Sequence, residues 1–351
     1  MAKCLQKVGI YMKYSDIWKN ARQIMYSGCS VCQKCNGVAC KGKVPGIGSK
    51  GNGRGFTKCV EFLESVKINI DTIYDYTSVD AGCEFFGQKM KYPIFAAPIG
   101  GMAPSYDEAI TEKEYVERVV FGMNDAGCMA FTGDGEEIEY MAPLEVIKEA
   151  GGRAVPTMKP WGDKKAFERI DLAKKAGACA IANDIDSVAI PLYRVEESYA
   201  PPRGVNALKK LVDYAEIPFI LKGIMTAEGA EKAVQTGAYG IVVSNHGGRF
   251  IEDTPATAEV LPEIRKAVGD KIKIFVDGGI RTGEDIFKCI ALGANAVLIG
   301  RPFSQAAIGG GREGVKMHAE KLGRELEQVM MMTGCVTLSD ISVKNIRLKN
   351  K

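Results

Sequence analysis

The chain has 351 residues, which is enough for two ordinary domains or for one α/β barrel of about 250 residues with an added segment. Its 46 Lys and Arg residues exceed its 43 Asp and Glu residues by only three, so a nucleic-acid-binding protein is not expected. A hydrophobic content of 46% with 25% charged residues is typical of a folded globular protein and excludes disordered and collagen-like chains.

Residues 1–92 are predicted to form an N-terminal extension. The first 20 residues interrupt their apolar positions with Lys or Asp, so no secretion signal is predicted, and no stretch of the chain approaches the roughly 18 apolar residues of a membrane helix. We therefore expect a cytoplasmic protein without a membrane partner. Because cytosolic thiols stay reduced, the 11 cysteines are expected to serve metal or redox chemistry rather than disulfides.

Within the extension, four cysteines are closely spaced. Their pattern, C-x₂-C-x₂-C-x₄-C, is one residue longer than the ferredoxin pattern C-x₂-C-x₂-C-x₃-C. Three cysteines at successive x₂ spacings favour a [4Fe–4S] cluster, whereas zinc sites more often use two separated pairs; zinc and free thiols stay as alternatives. The segment between Asp16 and Glu61 has eight Lys or Arg residues and no acid, which suits an anionic cluster or an acidic electron carrier. The predicted metal ligands are Cys29, Cys32, Cys35 and Cys40.

From residue 93 onward, eight short apolar runs alternate with stretches that can form helices. A repeat of roughly 29 residues favours a closed (β/α)₈ TIM barrel over an open sheet, which usually has five or six strands. The predicted fold is therefore α/β, with the barrel over residues 93–351 and its last helix over Gly314–Met332. The predicted strands are Pro93–Ala97, Cys128–Thr132, Arg153–Met158, Cys179–Asn183, Ile217–Lys222, Tyr239–Ser244, Lys273–Val276 and Asn295–Ile299.

In such a barrel the active site lies at the carboxyl ends of the strands. His246 follows the sixth run and precedes two glycines and Arg249. The glycines permit close approach of a ligand to the backbone, and the Arg249 guanidinium can bind a carboxylate or phosphate with two N–H donors. A histidine there suits a general base if a carboxylate orients its other nitrogen. Asp186, after the fourth run, is the candidate, and a helix cap is its alternative role. The other histidine, His318, lies in the last helix and is predicted to be a packing or surface residue.

The ends of the seventh and eighth runs combine glycine with arginine. Residues 277–281 and the pair Gly300 and Arg301 lie where this fold commonly binds phosphate through backbone N–H groups and a helix N-terminus. A phosphate-bearing cofactor is therefore predicted. Lys222 ends the fifth run and would hold a positive charge beside an electron-accepting ring, with a structural ion pair as the alternative.

Four segments together resemble the FMN-dependent α-hydroxy acid dehydrogenases and oxidases, the family of glycolate oxidase and lactate oxidase. They are Leu221–Gly223, Ser244–Arg249, Asp277–Asp285 and Ala291–Phe303. The resemblance runs from about residue 93 to 335. It implies an FMN-binding barrel that oxidises a small 2-hydroxy acid, such as L-lactate or glycolate, to the 2-oxo acid. It also implies a homo-oligomer, namely a tetramer.

The resemblance further implies a role for each residue that matches a family motif. His246 removes a proton from the substrate, Arg249 holds the substrate carboxylate, and Asp186 stabilises the imidazolium. Lys222 contacts the N1/O2 edge of the flavin. The implied cofactor contacts are Pro98, Ile99, Gly100, Lys222, Ser244, Asp277, Gly278, Gly279, Arg281, Gly300 and Arg301.

Three departures from the family pattern affect these expectations. In place of the family's Gln-x-Tyr after the third strand the chain has Pro156–Trp161, where Lys159 could contact the substrate or lie at the surface. Asp134 and Asp184 replace uncharged residues after strands two and four, which predicts more negative charge near the flavin. The cysteine segment occupies the part of the chain that covers the active site in the family.

The leading hypothesis is an FMN-dependent 2-hydroxy acid dehydrogenase or oxidase that passes electrons through an iron–sulfur cluster to an electron-carrier protein. One alternative is a non-redox isomerase resembling the FMN-dependent isopentenyl diphosphate isomerase, against which the sequence from His246 to Arg249 argues. A second alternative is a flavin- or metal-containing redox sensor without turnover, supported by the altered Gln-x-Tyr position.

Overall fold

The computed structural model describes residues 12–25, 28–44, 46–76, 78–102, 106, 109–135, 137–192 and 200–348. Within these ranges, no helix has both the length and the apolar character that are needed to cross a bilayer. In its described residues, the segment before the barrel contributes two helices and three short strands. They are α1 (Tyr14–Ile24), α2 (Arg54–Ser65), β1 (Lys67–Ile68), β2 (Cys83–Phe85) and β3 (Gln88–Met90).

Eight parallel strands close into a barrel in which each strand pairs with the next one along the chain and the last pairs with the first. Each strand begins and ends within two residues of its predicted run, so the (β/α)₈ prediction is confirmed. Nearly all strand residues are buried, because helices cover the outside of the barrel and side chains fill its interior. The strands are β4 (Ile94–Ala96), β5 (Met129–Thr132), β6 (Val155–Met158), β7 (Ile181–Asp184), β8 (Phe219–Ile224), β9 (Gly240–Val243), β10 (Lys273–Asp277) and β11 (Ala296–Ile299). Their order around the barrel is β10-β11-β4-β5-β6-β7-β8-β9, and β9 pairs with β10.

Helices follow the strands and form the outer layer. Thr111, Thr226 and Thr282 cap three of them by accepting a hydrogen bond from a backbone N–H in the first helical turn. Short 3₁₀ helices at Ile185–Leu192 and His246–Gly248 follow β7 and β9. The helices are α3 (Glu112–Asp125), α4 (Glu137–Glu149), α5 (Asp163–Lys175), α6 (Val205–Ala215), α7 (Ala227–Gln235), α8 (Leu261–Val268), α9 (Gly283–Ala291) and α10 (Arg301–Met332).

Helix α10 begins earlier than the predicted Gly314. Its backbone leaves helical geometry at Gly311, where φ is 61° and ψ is −154°, so two helical segments follow each other. The predicted helix corresponds to the second segment. The first segment begins at Arg301 and brings a helix N-terminus to the end of β11.

The β2–β3 hairpin closes one end of the barrel with aromatic side chains. The ring of Phe85 lies 5.6 Å from that of Phe95 on β4 and 5.2 Å from that of Phe275 on β10. Phe86 lies 5.0 Å from Tyr239, directly before β9, which places the hairpin at the amino ends of the strands. The opposite end, where the carboxyl ends of the strands meet, is the one left for a site.

The N-terminal segment also packs on the outside of the barrel. Ile17 of α1 is buried, and the side-chain amide of Asn20 donates to the carbonyl of Gly309 on α10 at 3.1 Å. His318 on α10 is buried and its Nδ1 lies 2.8 Å from the Tyr14 hydroxyl, which agrees with the predicted packing role. Burial lowers the pKa of His318 to about 3. At the other end of the chain, β12 (Ile346–Arg347) pairs with β1.

Candidate active site

A cavity of about 540 Å³ lies at the carboxyl ends of the barrel strands. Its wall contains residues from all eight strand ends and from residues 42–51 of the N-terminal segment. Two predicted site residues, Ser244 and Asp186, lie behind this wall and contact residues that line it. The predicted residues in the wall are Pro98, Ile99, Gly100, Lys159, Lys222, His246, Arg249, Asp277, Gly278, Gly279, Arg281, Gly300 and Arg301.

His246 is held by the carboxylate that the sequence indicated. Its Nδ1 lies 3.1 Å from both carboxylate oxygens of Asp186, so Nε2 is the nitrogen available to take a proton from a ligand in the cavity. Desolvation, and then the Lys222 ammonium 3.3 Å from Nδ1, lowers the pKa of His246 below its usual 6.5, although Asp186 and Asp184 act in the opposite direction. The imidazole is therefore neutral near pH 7, as a general base requires.

The backbone around His246 is unusual. His246 adopts a left-handed φ of 54°, a conformation that is costly for a residue with a Cβ and is concentrated at functional sites. The chain continues with a φ of 70° at Gly248, which packs against the first turn of α2. A Cβ at Gly248 would lie 2.9 Å from the backbone nitrogen of Phe56. Glycine is thus required there because two backbones meet.

A network of buried charges lies beneath the cavity. The carboxylate of Asp184 is 2.8 Å from the Lys159 ammonium and 3.0 Å from the Lys222 ammonium. Burial opposes ionisation of Asp184, but these two cations hold its pKa well below the usual range. The negative charge predicted for Asp184 is therefore compensated by Lys159, which stands in place of the expected tyrosine. Asp184, Asp186 and His246 are close enough to share a metal ion, but the Lys222 ammonium lies among them.

Asp134, the other additional acid, is also used within the protein. One of its oxygens accepts hydrogen bonds from the backbone N–H of Lys159 at 2.7 Å and from the indole nitrogen of Trp161 at 2.5 Å. The guanidinium of Arg169 lies 3.8 Å from its other oxygen. Asp134 thereby fixes the chain after β6, the strand end at which Lys159 enters the cavity.

Two arginines stand side by side in the cavity wall. Burial, and then the neighbouring Arg301, lowers the pKa of Arg249 to about 10. Within the described residues, the hydrogen bonds of both side chains go to backbone carbonyls of the N-terminal segment rather than to carboxylates. Adjacent cations without a carboxylate partner favour an anionic ligand such as a carboxylate or phosphate.

The neighbouring wall fits the flavin mononucleotide expected from the family resemblance. Asp277 is buried, accepts a hydrogen bond from the Ser244 hydroxyl at 2.8 Å, and has a second oxygen without a partner among the described residues. Such an oxygen can accept a hydrogen bond from a hydroxyl group of a ligand. At the N-terminus of α10, next to Gly300, the Arg301 N–H and the positive end of the helix dipole face a phosphate, since Pro302 has no N–H and those of Phe303 and Ser304 donate to Gly300 O.

The four clustered cysteines line a second, smaller cavity beside the first. Nitrogen donors point at two of their sulfur atoms. Cys29 Sγ accepts from Val31 N at 3.4 Å and from Gln305 Nε2 at 3.3 Å, and Cys35 Sγ accepts from Arg281 Nη2 at 3.5 Å. Hydrogen bonds to sulfur are among the protein contacts that tune iron–sulfur clusters.

The spacing of these sulfurs also bears on the choice of metal. Among the described residues, no three cysteine sulfurs lie within 4.8 Å of one another. Sulfurs bound tetrahedrally to zinc at about 2.3 Å would lie about 3.8 Å apart. The sulfurs of the described cysteines are therefore not as close together as in a formed tetrahedral zinc site.

Residues absent from the sequence prediction also contribute to the site. Tyr106 is buried and lines both cavities together with Ile47 and Arg301. Glu112 accepts a hydrogen bond from the backbone of Met102 at 2.9 Å behind the loop after β4, and burial raises its pKa to about 7. Neither Tyr106 nor Glu112 belongs to a local sequence motif. The glycine content of residues 42–51, which line the same cavity, is a sequence signal for this part of the site.

Comparison with known proteins places these features in context. The sequence model described as FMN-dependent dehydrogenase matches residues 193–348. A peroxisomal (S)-2-hydroxyacid oxidase of Arabidopsis thaliana is 46% identical over 136 residues, which cover 39% of this chain and 38% of that protein. An L-lactate oxidase of Lentilactobacillus hilgardii is 32% identical over 304 residues, which cover 76% of this chain and 78% of that protein.

Solved structures give the same result over a larger part of the chain. A mandelate oxidase in complex with benzoyl-formic acid superposes with a TM-score of 0.77 at 27% identity and covers 97% of this chain and 99% of that chain. The matches to the plant enzymes, in contrast, span about two fifths of the length of those relatives.

Proposed function

Because this chain belongs to the FMN-dependent dehydrogenase family, we propose that it oxidises a small 2-hydroxy acid to the 2-oxo acid with FMN bound at the mouth of its barrel. One observation carries the proposal: a neutral His246, oriented by Asp186, stands beside Arg249 in the wall of a 540 Å³ cavity. To remove a proton from a 2-hydroxy acid, an enzyme needs a base next to a cation that binds the substrate carboxylate.

In the proposed reaction each side chain has one task. Arg249 binds the carboxylate of the substrate, which brings the substrate to His246 Nε2. His246 takes a proton, and Asp186 stabilises the resulting imidazolium. Bound FMN would accept the two electrons together with the second hydrogen that the substrate loses. The Lys222 ammonium supplies positive charge where negative charge develops on reduction.

The proposed flavin contacts divide between two sides of the cavity. Pro98, Ile99 and Gly100, after β4, would lie against the ring. Ser244 would act through Asp277, whose free oxygen suits a ribityl hydroxyl. The residues proposed for the phosphate are Gly278, Gly279, Arg281, Gly300 and Arg301.

We also propose that Cys29, Cys32, Cys35 and Cys40 bind a [4Fe–4S] cluster that receives electrons from the reduced flavin. Their common cavity and the N–H donors to two of their sulfurs support a metal site, and the two successive x₂ spacings favour a cluster over zinc. Ile47, Tyr106 and Arg301 line both cavities, so a single layer of side chains would separate cluster and flavin. From the cluster, electrons would pass to a carrier protein.

Anaerobic purification followed by analysis of FMN, iron, acid-labile sulfide and zinc tests both cofactors. We expect one FMN per chain and about four iron and four sulfide. Addition of lactate, glycolate or mandelate should then bleach the flavin absorbance. Zinc without sulfide would refute the relay. A flavin that no 2-hydroxy acid reduces would refute the oxidation and favour the non-redox isomerase.

The proposed setting of the reaction is a cytoplasmic homo-oligomer. Reducing conditions would keep the four thiols available for a cluster. The tetramer implied by the family resemblance is checked by light scattering of the purified holoenzyme, in which a monomeric mass would refute it.

A further inference from the structure

Three consecutive backbone carbonyls accept hydrogen bonds from the two arginines of the cavity. They belong to the tripeptide Gly46–Gly48. Arg249 Nη1 donates to Gly46 O and to Gly48 O, the latter at 3.2 Å. Arg301 donates from Nε to Ile47 O at 2.7 Å and from Nη2 to Gly48 O at 3.0 Å. The tripeptide therefore fixes the direction of both guanidinium groups.

The same tripeptide is built onto the last cysteine of the cluster site. Lys43 N donates to Cys40 O at 3.3 Å, and Gly48 N donates to Lys43 O at 3.0 Å. Gly42 N donates to Ser49 O at 2.8 Å, so the segment folds back on itself. A Cβ at Gly48 would lie only 2.0 Å from Cys40 O, which shows how closely the two backbones pack.

Two further contacts join the cysteine segment to the active-site side. Lys50 N donates to Gly248 O at 2.9 Å, directly before Arg249. Arg281 Nε donates to Cys35 O at 2.9 Å. The segment from Cys35 to Lys50 is thus connected at both ends to residues of the cavity wall.

We propose that the cluster in the four-cysteine site has a second role, namely to position Arg249 and thereby set the affinity of the active site for its carboxylate ligand. This inference rests on the proposed cluster and on the proposed role of Arg249. The segment is rich in glycine and poor in buried apolar side chains, so metal binding would supply much of the free energy that orders it. Without the cluster, the hydrogen bonds that join Cys40, Lys43 and Gly48 are no longer held in place. The Gly46–Gly48 carbonyls then no longer hold Arg249 beside the like-charged Arg301.

The test compares cluster-loaded and cluster-free holoenzyme, both with FMN bound. Oxalate, a carboxylate ligand that has no hydrogen to lose at C2, is titrated into the oxidised protein, and its binding is followed by flavin absorbance. Removal of the cluster should raise the Kd of oxalate at least tenfold with FMN content unchanged, and reconstitution should restore it. Equal Kd values with and without the cluster would overturn the inference.

Two variants separate the cluster from the tripeptide. Cys40→Ser should lose iron and oxalate affinity together, whereas Cys83→Ser, on the β2 strand of the hairpin, should change neither. Gly48→Ala must displace the tripeptide from Cys40, so we expect weaker oxalate binding even where iron and sulfide are retained. Full affinity in Gly48→Ala would count against the inference. If every preparation lacked iron and sulfide, both the proposed cluster and this inference would be refuted. The proposed oxidation would still be tested separately, by bleaching of the flavin absorbance with 2-hydroxy acids.

Discussion

The protonation state of His246 decides when the candidate active site can accept a proton. Its pKa lies below the usual 6.5 because of desolvation and the nearby Lys222 ammonium. The neutral base is therefore present from mildly acidic pH upward. We predict that the rate of flavin reduction by a 2-hydroxy acid rises with pH along one acid limb, with a midpoint below 6.5, and is level at pH 7. Stopped-flow measurements from pH 4.5 to 8 check this.

Substitution at His246 identifies that limb. His246→Gln keeps a polar side chain but removes the base, so flavin reduction should slow by about 10²- to 10⁴-fold and lose its acid limb. FMN content provides the control, because the variant must still bind the cofactor. An acid limb that survives in the variant would assign the titration to another group.

The ion pair of Lys159 with Asp184 gives a prediction on stability. Lys159 is mostly buried, and among the described residues its loss leaves the Lys222 ammonium as the lysine paired with Asp184. Lys159→Gln and Asp184→Asn should each lower the free energy of unfolding by about 3 kcal/mol. The double variant should lose clearly less free energy of unfolding than the two single variants lose together, since neither of its uncharged side chains leaves a buried charge without its partner. Denaturant unfolding of the three variants measures the coupling, and additive losses would show that the pair does not interact.

At the scale of elements, the β2–β3 hairpin and the cavity occupy opposite ends of one barrel. Phe85 is buried among the rings of Phe95 and Phe275. Phe85→Ala should therefore lower the free energy of unfolding by about 3 to 5 kcal/mol while FMN content and oxalate affinity stay unchanged. Ile73→Ala, at a position that is 94% exposed, is the control and should change stability by less than about 0.5 kcal/mol. Loss of FMN from Phe85→Ala would show that the two ends are coupled.

At the scale of the whole molecule, the net charge of +3 conceals a local excess of positive charge around the cysteine site. Cys32, Lys41 and Lys43 are exposed, and Val38 beside them is 54% exposed. Such a surface suits an acidic electron carrier, since complementary charge accelerates encounter and salt screens it.

Electron transfer to a small acidic carrier protein should accordingly slow about tenfold between 50 mM and 500 mM NaCl. The double variant Lys41→Glu/Lys43→Glu should show a similar loss at low salt. Lys271→Glu, at the amino end of β10 and so on the other side of the barrel, should transfer electrons normally. Flavin reduction by substrate should be unaffected in all of these proteins. A transfer rate that does not respond to salt would contradict docking at this surface.

The sequence by itself determined the barrel and the strand ends at which most residues of the candidate site lie. Apolar runs and helical stretches are local patterns, so the sequence alone locates the strands. Because the carboxyl ends of parallel barrel strands lie at one end of the barrel, His246, Asp186 and Arg249 could be predicted to lie there together. The cysteine spacing likewise predicted a metal site at four thiols, because the pattern is one residue longer than that of ferredoxin clusters.

Only the tertiary structure decided how these parts meet. The compensation of Asp184 by Lys159, the contact of Tyr106 with both cavities and the bonds from the Gly46–Gly48 carbonyls to Arg249 join residues that are distant along the chain. Such contacts depend on how loops fold over a closed barrel, and loop packing leaves no periodic signal in the sequence. The cysteine segment is therefore recognisable from its spacing, but its hold on the active-site arginines follows only from the folded chain.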